Sequence, residues 1–62
     1  MNIERLKQLM EEQNVSQAEL ADAAGVSQPF VTYMMRGDRI PSLEVTKRIA
    51  HYLGATIDEL AG

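Results

Sequence analysis

Residues 16–37 read SQAELADAAGVSQPFVTYMMRG, and the order of caps, small residues and apolar positions within them decides the fold. Ser16 followed by Glu19 has the form of a capping box: the serine oxygen accepts an orphan amide one turn into a helix, and the glutamate reaches back to the cap. A helix is therefore expected from Gln17. Leu20, Ala21 and Ala24 fall three and four residues apart on one face, and Gly25 stands where a helix ends most easily in a left-handed residue. This helix is about two turns long. Val26 is the apolar residue of the turn, and Ser27 can cap a second helix. Pro29 is tolerated in the first turn, where the amide it lacks would be unpaired. The second helix is expected to run to Arg36, with Gly37 as its stop.

Gly25 permits a backbone angle that other residues resist, and the small Ala21 lets the two helices cross closely. The arrangement is a helix-turn-helix with a three-residue turn. At about 100° per residue, Val31, Met34 and Met35 share one side of the second helix, and Pro29, Thr32, Tyr33 and Arg36 fall on the other. One face is apolar and the other is free to read something; Gln28 and Phe30 flank that outer face.

On the N-terminal side, Asn2 can cap a helix to Gln13 in which Ile3, Leu6, Leu9, Met10 and Gln13 keep helical spacing, with Asn14 as a left-handed stop. Arg5, Lys7, Glu11 and Glu12 read as a solvated face. On the C-terminal side, Asp38 to Pro41 is a loop and Ser42 caps a fourth helix. Leu43, Thr46, Ile49, Ala50 and Leu53 form its inward stripe, and Gly54 ends it. Thr56 with Glu59 makes a second capping box for a one-turn helix whose Ile57 and Leu60 close the core. The expected fold is a compact five-helix all-α domain spanning residues 1–62, without strands, linker or repeat.

Sixty-two residues bury roughly 60% of the unfolded surface, enough for one small core. The chain has no cysteine, which leaves neither a disulfide nor a thiolate metal site and suits a reducing cytosol. With no membrane-length apolar run and no secretory pattern, a cytoplasmic location is expected. Net charge is −3, at odds with the Lys and Arg contacts that supply most non-specific affinity for nucleic acid. The charge is polarised, however. Residues 27–48 carry Arg36, Arg39, Lys47 and Arg48 against Asp38 and Glu44, net +2, while the rest of the chain sums to −5. Weak non-specific binding and a shallow salt dependence are expected. His51 is the one histidine and has no partner at ligand spacing, so no metal is expected. No nucleophile–base pair or phosphate loop is present, so neither an enzyme nor a cofactor is expected.

The run from Ser16 to Leu60 resembles the phage-repressor and Cro-like (Xre-type, lambda-repressor-like) helix-turn-helix DNA-binding family. The match lies in Ser16-Gln17, Leu20-Ala21, Gly25-Val26-Ser27, Val31, Gly37, Arg39, Pro41-Ser42-Leu43, Ile49-Ala50, Leu53 and Asp58-Glu59-Leu60. Single motifs of this kind are weak, but their combined order and spacing are strong. The resemblance implies that the third helix lies in the major groove with the second above it across the phosphate backbone. Gln28 is then the best base reader, since a carboxamide pairs with adenine N6 and N7 together. In relatives the glutamine matching Gln17 braces the one matching Gln28 while touching a phosphate. Pro29, Thr32 and Tyr33 should face the groove, although relatives commonly carry Arg, Lys or Gln in place of Tyr33. Phe30 either presses on a sugar or thymine methyl or packs against its own helix and the following loop.

Ser16, Gln17, Arg36, Arg39 and Ser42 are placed for phosphates, helped in the case of Ser16, Gln17 and Ser42 by helix N-termini. Many relatives hold an Arg and a Glu, paired inside the fold, where this chain has Met10 and Met35. A Met10–Met35 contact bridging the first and third helices is expected in its place. The implied function is a sequence-specific regulator of transcription, a repressor of the phage or mobile-element type, bound as a dimer to an inverted-repeat operator in double-stranded DNA. Ile40, Thr56 and Ile57 lie near the two-fold surface of relatives. With no second dimerisation domain after Gly62, the homodimer is expected to be weak or to form only on DNA. A competing class is a protein-interaction module that keeps the fold without reading DNA, in line with the acidic total and the aromatic Phe30 and Tyr33.

Overall fold

Five side-chain oxygens set where the helices begin. In the computed structural model, which describes residues 1–61, Asn2 accepts the Arg5 amide at 3.1 Å, Ser16 that of Glu19 at 3.1 Å and Ser27 that of Phe30 at 3.2 Å. Ser42 accepts the Val45 amide at 3.2 Å and Thr56 that of Glu59 at 3.1 Å. Each satisfies one of the donors a helix start leaves unpaired. The helices that follow are α1 (Ile3–Gln13), α2 (Gln17–Ala24), α3 (Gln28–Met35), α4 (Leu43–Leu53) and α5 (Ile57–Ala61). Gly62 lies outside the described residues, and among those described no helix is long and apolar enough to cross a membrane.

Three helices stop as the sequence predicts, in left-handed residues: Asn14 at φ 55°, Gly25 at 72° and Gly54 at 69°. The third ends at Met35, one residue early, because Arg36 at φ −85°, ψ −8° closes the last turn before Gly37 turns left-handed at 82°.

The core is drawn from every helix. Leu6, Leu20, Val31, Met34, Ile49 and Leu60 are completely buried. The second helix packs on α3 and α4, while α1 is held by α4 and α5. Thr46, the buried polar residue on α4, donates its hydroxyl to the Ser42 carbonyl at 2.9 Å and so enters the core without an unpaired group. This packing leaves the outer side of α3 facing away from the protein.

The structure differs from the sequence reading at four side chains, each because a distant element supplies a partner or fails to. Leu43 has the phase of the inward stripe but is 62% exposed. The first turn of α4 projects past the layer that covers the rest of the stripe, and Leu43 lines a surface groove with Ile40 and Ile57 instead. Arg5 is not simply solvated: its guanidinium contacts the Glu59 carboxylate at 2.6 and 2.7 Å, joining α1 to α5. Gln13 donates to the Leu53 carbonyl at 2.7 Å, capping the end of α4. Glu19 reaches across to accept the Tyr52 hydroxyl of α4 rather than back to the Ser16 amide. Met10 is buried and Met35 half-buried, and both line one groove with Val15 between α1 and the end of α3.

Candidate nucleic-acid interface

The exposed side of α3 forms a shallow concavity lined by Gln28, Pro29, Thr32, Tyr33 and Arg36. It collects the four residues expected to read bases and one of those expected on phosphates. Their convergence follows from helical phase: Val31 and Met34 are fully buried on the opposite side and fix the rotation of the helix. Phe30 is half-buried and packs against the core cluster. Gln28 and Pro29 are exposed in the first turn of α3.

Gln17 and Thr32 are tied together across the turn. The Thr32 hydroxyl donates to Gln17 Oε1 at 2.9 Å, with the Gln28 carbonyl as a second acceptor at 3.2 Å. The brace from Gln17 therefore reaches Thr32 and the backbone beside it, not the Gln28 side chain. With its proton committed, Thr32 offers the outside mainly its methyl group. The Gln17 amide NH2 keeps two donors for an anion, and the Gln28 carboxamide keeps all of its own. One turn on from Thr32, the Arg36 guanidinium lies over the Tyr33 ring, 5.9 Å from its centroid.

The other expected phosphate ligands lie outside this concavity. Ser16 and Ser42 each accept an amide through Oγ, which leaves the hydroxyl proton free to donate at a helix N-terminus. Ser16 and Gln17 also line the groove that holds Met10 and Met35. Arg39 is exposed in the loop after Gly37. Arg48, also in the positive region, is partly engaged: it donates to the Ala24 carbonyl at 3.3 Å and lies 3.9 Å from Glu44.

Comparison with known proteins supplies a family. The family described as Helix-turn-helix matches residues 6–60. The chain belongs to the helix-turn-helix family. It is 35% identical over 57 residues to the HTH-type transcriptional regulator DdrOP3 of Deinococcus deserti, a match that covers 92% of this chain and 44% of that protein. The chain thus spans less than half the length of that relative. No solved structure matches it.

In this helix-turn-helix chain the motif itself is α2, Gly25-Val26-Ser27 and α3. Several contacts that shape the surface around it were not foreseen by sequence reasoning. Arg48 buttresses the Gly25 turn from α4, and a Cβ at Gly25 would stand 2.9 Å from its Nη1. Tyr52 and Glu19 lock α2 to α4. Both pairs are distant in sequence and carry no spacing signal, so only the folded chain reveals them. Of the residues expected at a two-fold contact, Ile40 is 87% exposed and shares its groove with the half-buried Ile57. Thr56 is exposed but lies outside that groove, its hydroxyl oxygen engaged as the cap of α5.

Proposed function

We propose that the chain is a sequence-specific DNA-binding transcriptional regulator that lays α3 in the major groove of duplex DNA. The observation that carries this is the single outward surface made by Gln28, Pro29, Thr32, Tyr33 and Arg36 on a helix whose other side is locked in the core. Gln28 pairs with adenine, the Thr32 methyl and Pro29 meet a thymine methyl, and Tyr33 stands one turn further along. Ser16, Gln17, Arg39 and Ser42 take phosphates and set the register, and Arg36 adds positive charge at the end of the helix. Membership of the helix-turn-helix family and the regulator named among its relatives support the reading.

Two copies on an inverted repeat complete it. The domain measures 23 × 22 × 18 Å, less than the roughly 34 Å between successive major-groove faces, so one copy reaches one half-site. Pairing through Ile40 and Ile57, with Thr56 at the edge, is weak or formed on DNA. Occupying an operator excludes other proteins by bulk alone, so repression needs no surface beyond the one facing DNA. Such a protein works where DNA is accessible, in the cytoplasm.

The test is selection of bound duplexes from a random library at low and physiological salt. Enrichment of an inverted repeat with half-sites one helical turn apart supports the proposal. Failure to enrich any sequence at either salt, together with salt-insensitive capture of a protein partner, points to an interaction module instead.

A further inference from the structure

We propose that Arg36 reads a guanine base rather than a phosphate, and that Tyr33 is the positioning residue that holds its guanidinium for that purpose. The inference rests on the reading that α3 occupies the major groove, and it names the base specificity of one end of that helix.

Three observations carry it. Arg36 lines the same concavity as Gln28, Pro29, Thr32 and Tyr33, whereas Arg39 does not. Among the described residues, the Arg36 guanidinium has no carboxylate within ion-pair distance and no side-chain hydrogen bond, in contrast to Arg5 and Arg48. Its one side-chain partner is the face of Tyr33.

That partnership selects a job. A ring face 5.9 Å from the guanidinium carbon attracts its charge without using any of its N–H donors, and those are the donors that pair with guanine O6 and N7 together. A side chain already held over a ring loses less rotamer freedom when it makes that pair than a free one does. A phosphate can take the same two donors, so what favours a base is place: Arg36 lies in the concavity with the expected base readers. The position also fits. Gln28 and Arg36 are eight residues apart, about 12 Å along the helix axis, so the guanine should lie about three to four base pairs from the adenine read by Gln28. Tyr33, which departs from the long polar side chains usual at its position, gains a reason to be aromatic.

The experiment repeats the duplex selection with Arg36→Lys, Arg36→Ala, Tyr33→Phe and Tyr33→Leu beside the wild type. Wild type should enrich a guanine at that distance from the adenine. Arg36→Lys keeps the charge but not the two-donor fork, and should lower the guanine preference about tenfold or more while binding of mismatched duplexes stays nearly unchanged. Tyr33→Phe keeps the ring face and should keep the preference; Tyr33→Leu should lose most of it. If both Arg36 variants retain the guanine and weaken all sequences alike, Arg36 is a phosphate ligand and the inference is overturned. If Tyr33→Leu matches Tyr33→Phe, the positioning role is overturned. If wild type enriches no sequence, the DNA-binding reading itself falls and this inference with it.

Discussion

Gly25 holds φ at 72°, a conformation that costs an ordinary L-residue about 1–2 kcal/mol, and the Arg48 guanidinium fills the space a side chain there would need. Gly25→Ala should therefore lower unfolding stability by about that amount, read from the denaturant midpoint, since the end of the flexible Arg48 side chain can move aside. At the reading surface the effects should separate by kind. Gln28→Ala is expected to leave stability unchanged, since the side chain is exposed, and to relax preference at one base pair by about 1–3 kcal/mol. Arg39→Ala should weaken binding to all duplexes alike and reduce the salt slope by about 1. Competition binding over a panel of single-base variants distinguishes the two. The face that carries Gln28 was legible in the sequence because a surface helix encodes its faces at about 100° per residue. The partners of Thr32 and Arg48 were not, because a hydrogen bond across a turn or between helices leaves no period in the chain.

Helix boundaries follow the sequence closely, since each depends on one cap or one left-handed residue within three or four positions. Packing between helices was less legible, and Leu43 shows why: its phase was right, but whether a neighbour covers it depends on the length of elements elsewhere. The methionine pair tests packing directly. Met10→Glu should cost about 3–5 kcal/mol, as an unpaired charge is forced into the core. Met35→Glu should cost less, because Met35 is only half-buried. Combining Met10→Arg with Met35→Glu should destabilise by less than the sum of the single changes, a coupling that a double-mutant cycle by chemical denaturation measures. The α1–α5 link is tested by pH. The Arg5 guanidinium, with the Thr56 amide as a smaller cause, holds the Glu59 carboxyl below its ordinary value of 4.5. The folded state thus favours the carboxylate, so the contribution of this pair is present above that value and lost as pH falls through the lowered one. The melting temperatures of wild type and Glu59→Gln should differ near neutral pH and converge in acid.

For the molecule as a whole, charge and size set how it can act. Among the described residues, Arg39 and Lys47 are exposed cations of the positive region without an ion-pair partner, beside Arg36. If each neutralises one phosphate, a pair of copies has a salt slope of only about −4, measurable by titration at several salt concentrations. Ile40→Glu should leave binding to an isolated half-site unchanged and weaken binding to the full inverted repeat. The polarity of charge was visible in the sequence, but the Arg48 contacts with Ala24 and Glu44 required the fold. The two ends of the chain meet: the Asn2 amide donates to the Leu60 carbonyl, and Arg5 grips Glu59 across 54 positions. On the ribosome, α1 emerges before α5 and lacks that support until residues 57–61 have followed. A nascent chain stalled before Thr56 should hold the helix-turn-helix without a settled first helix, which should settle only once Arg5 can reach Glu59.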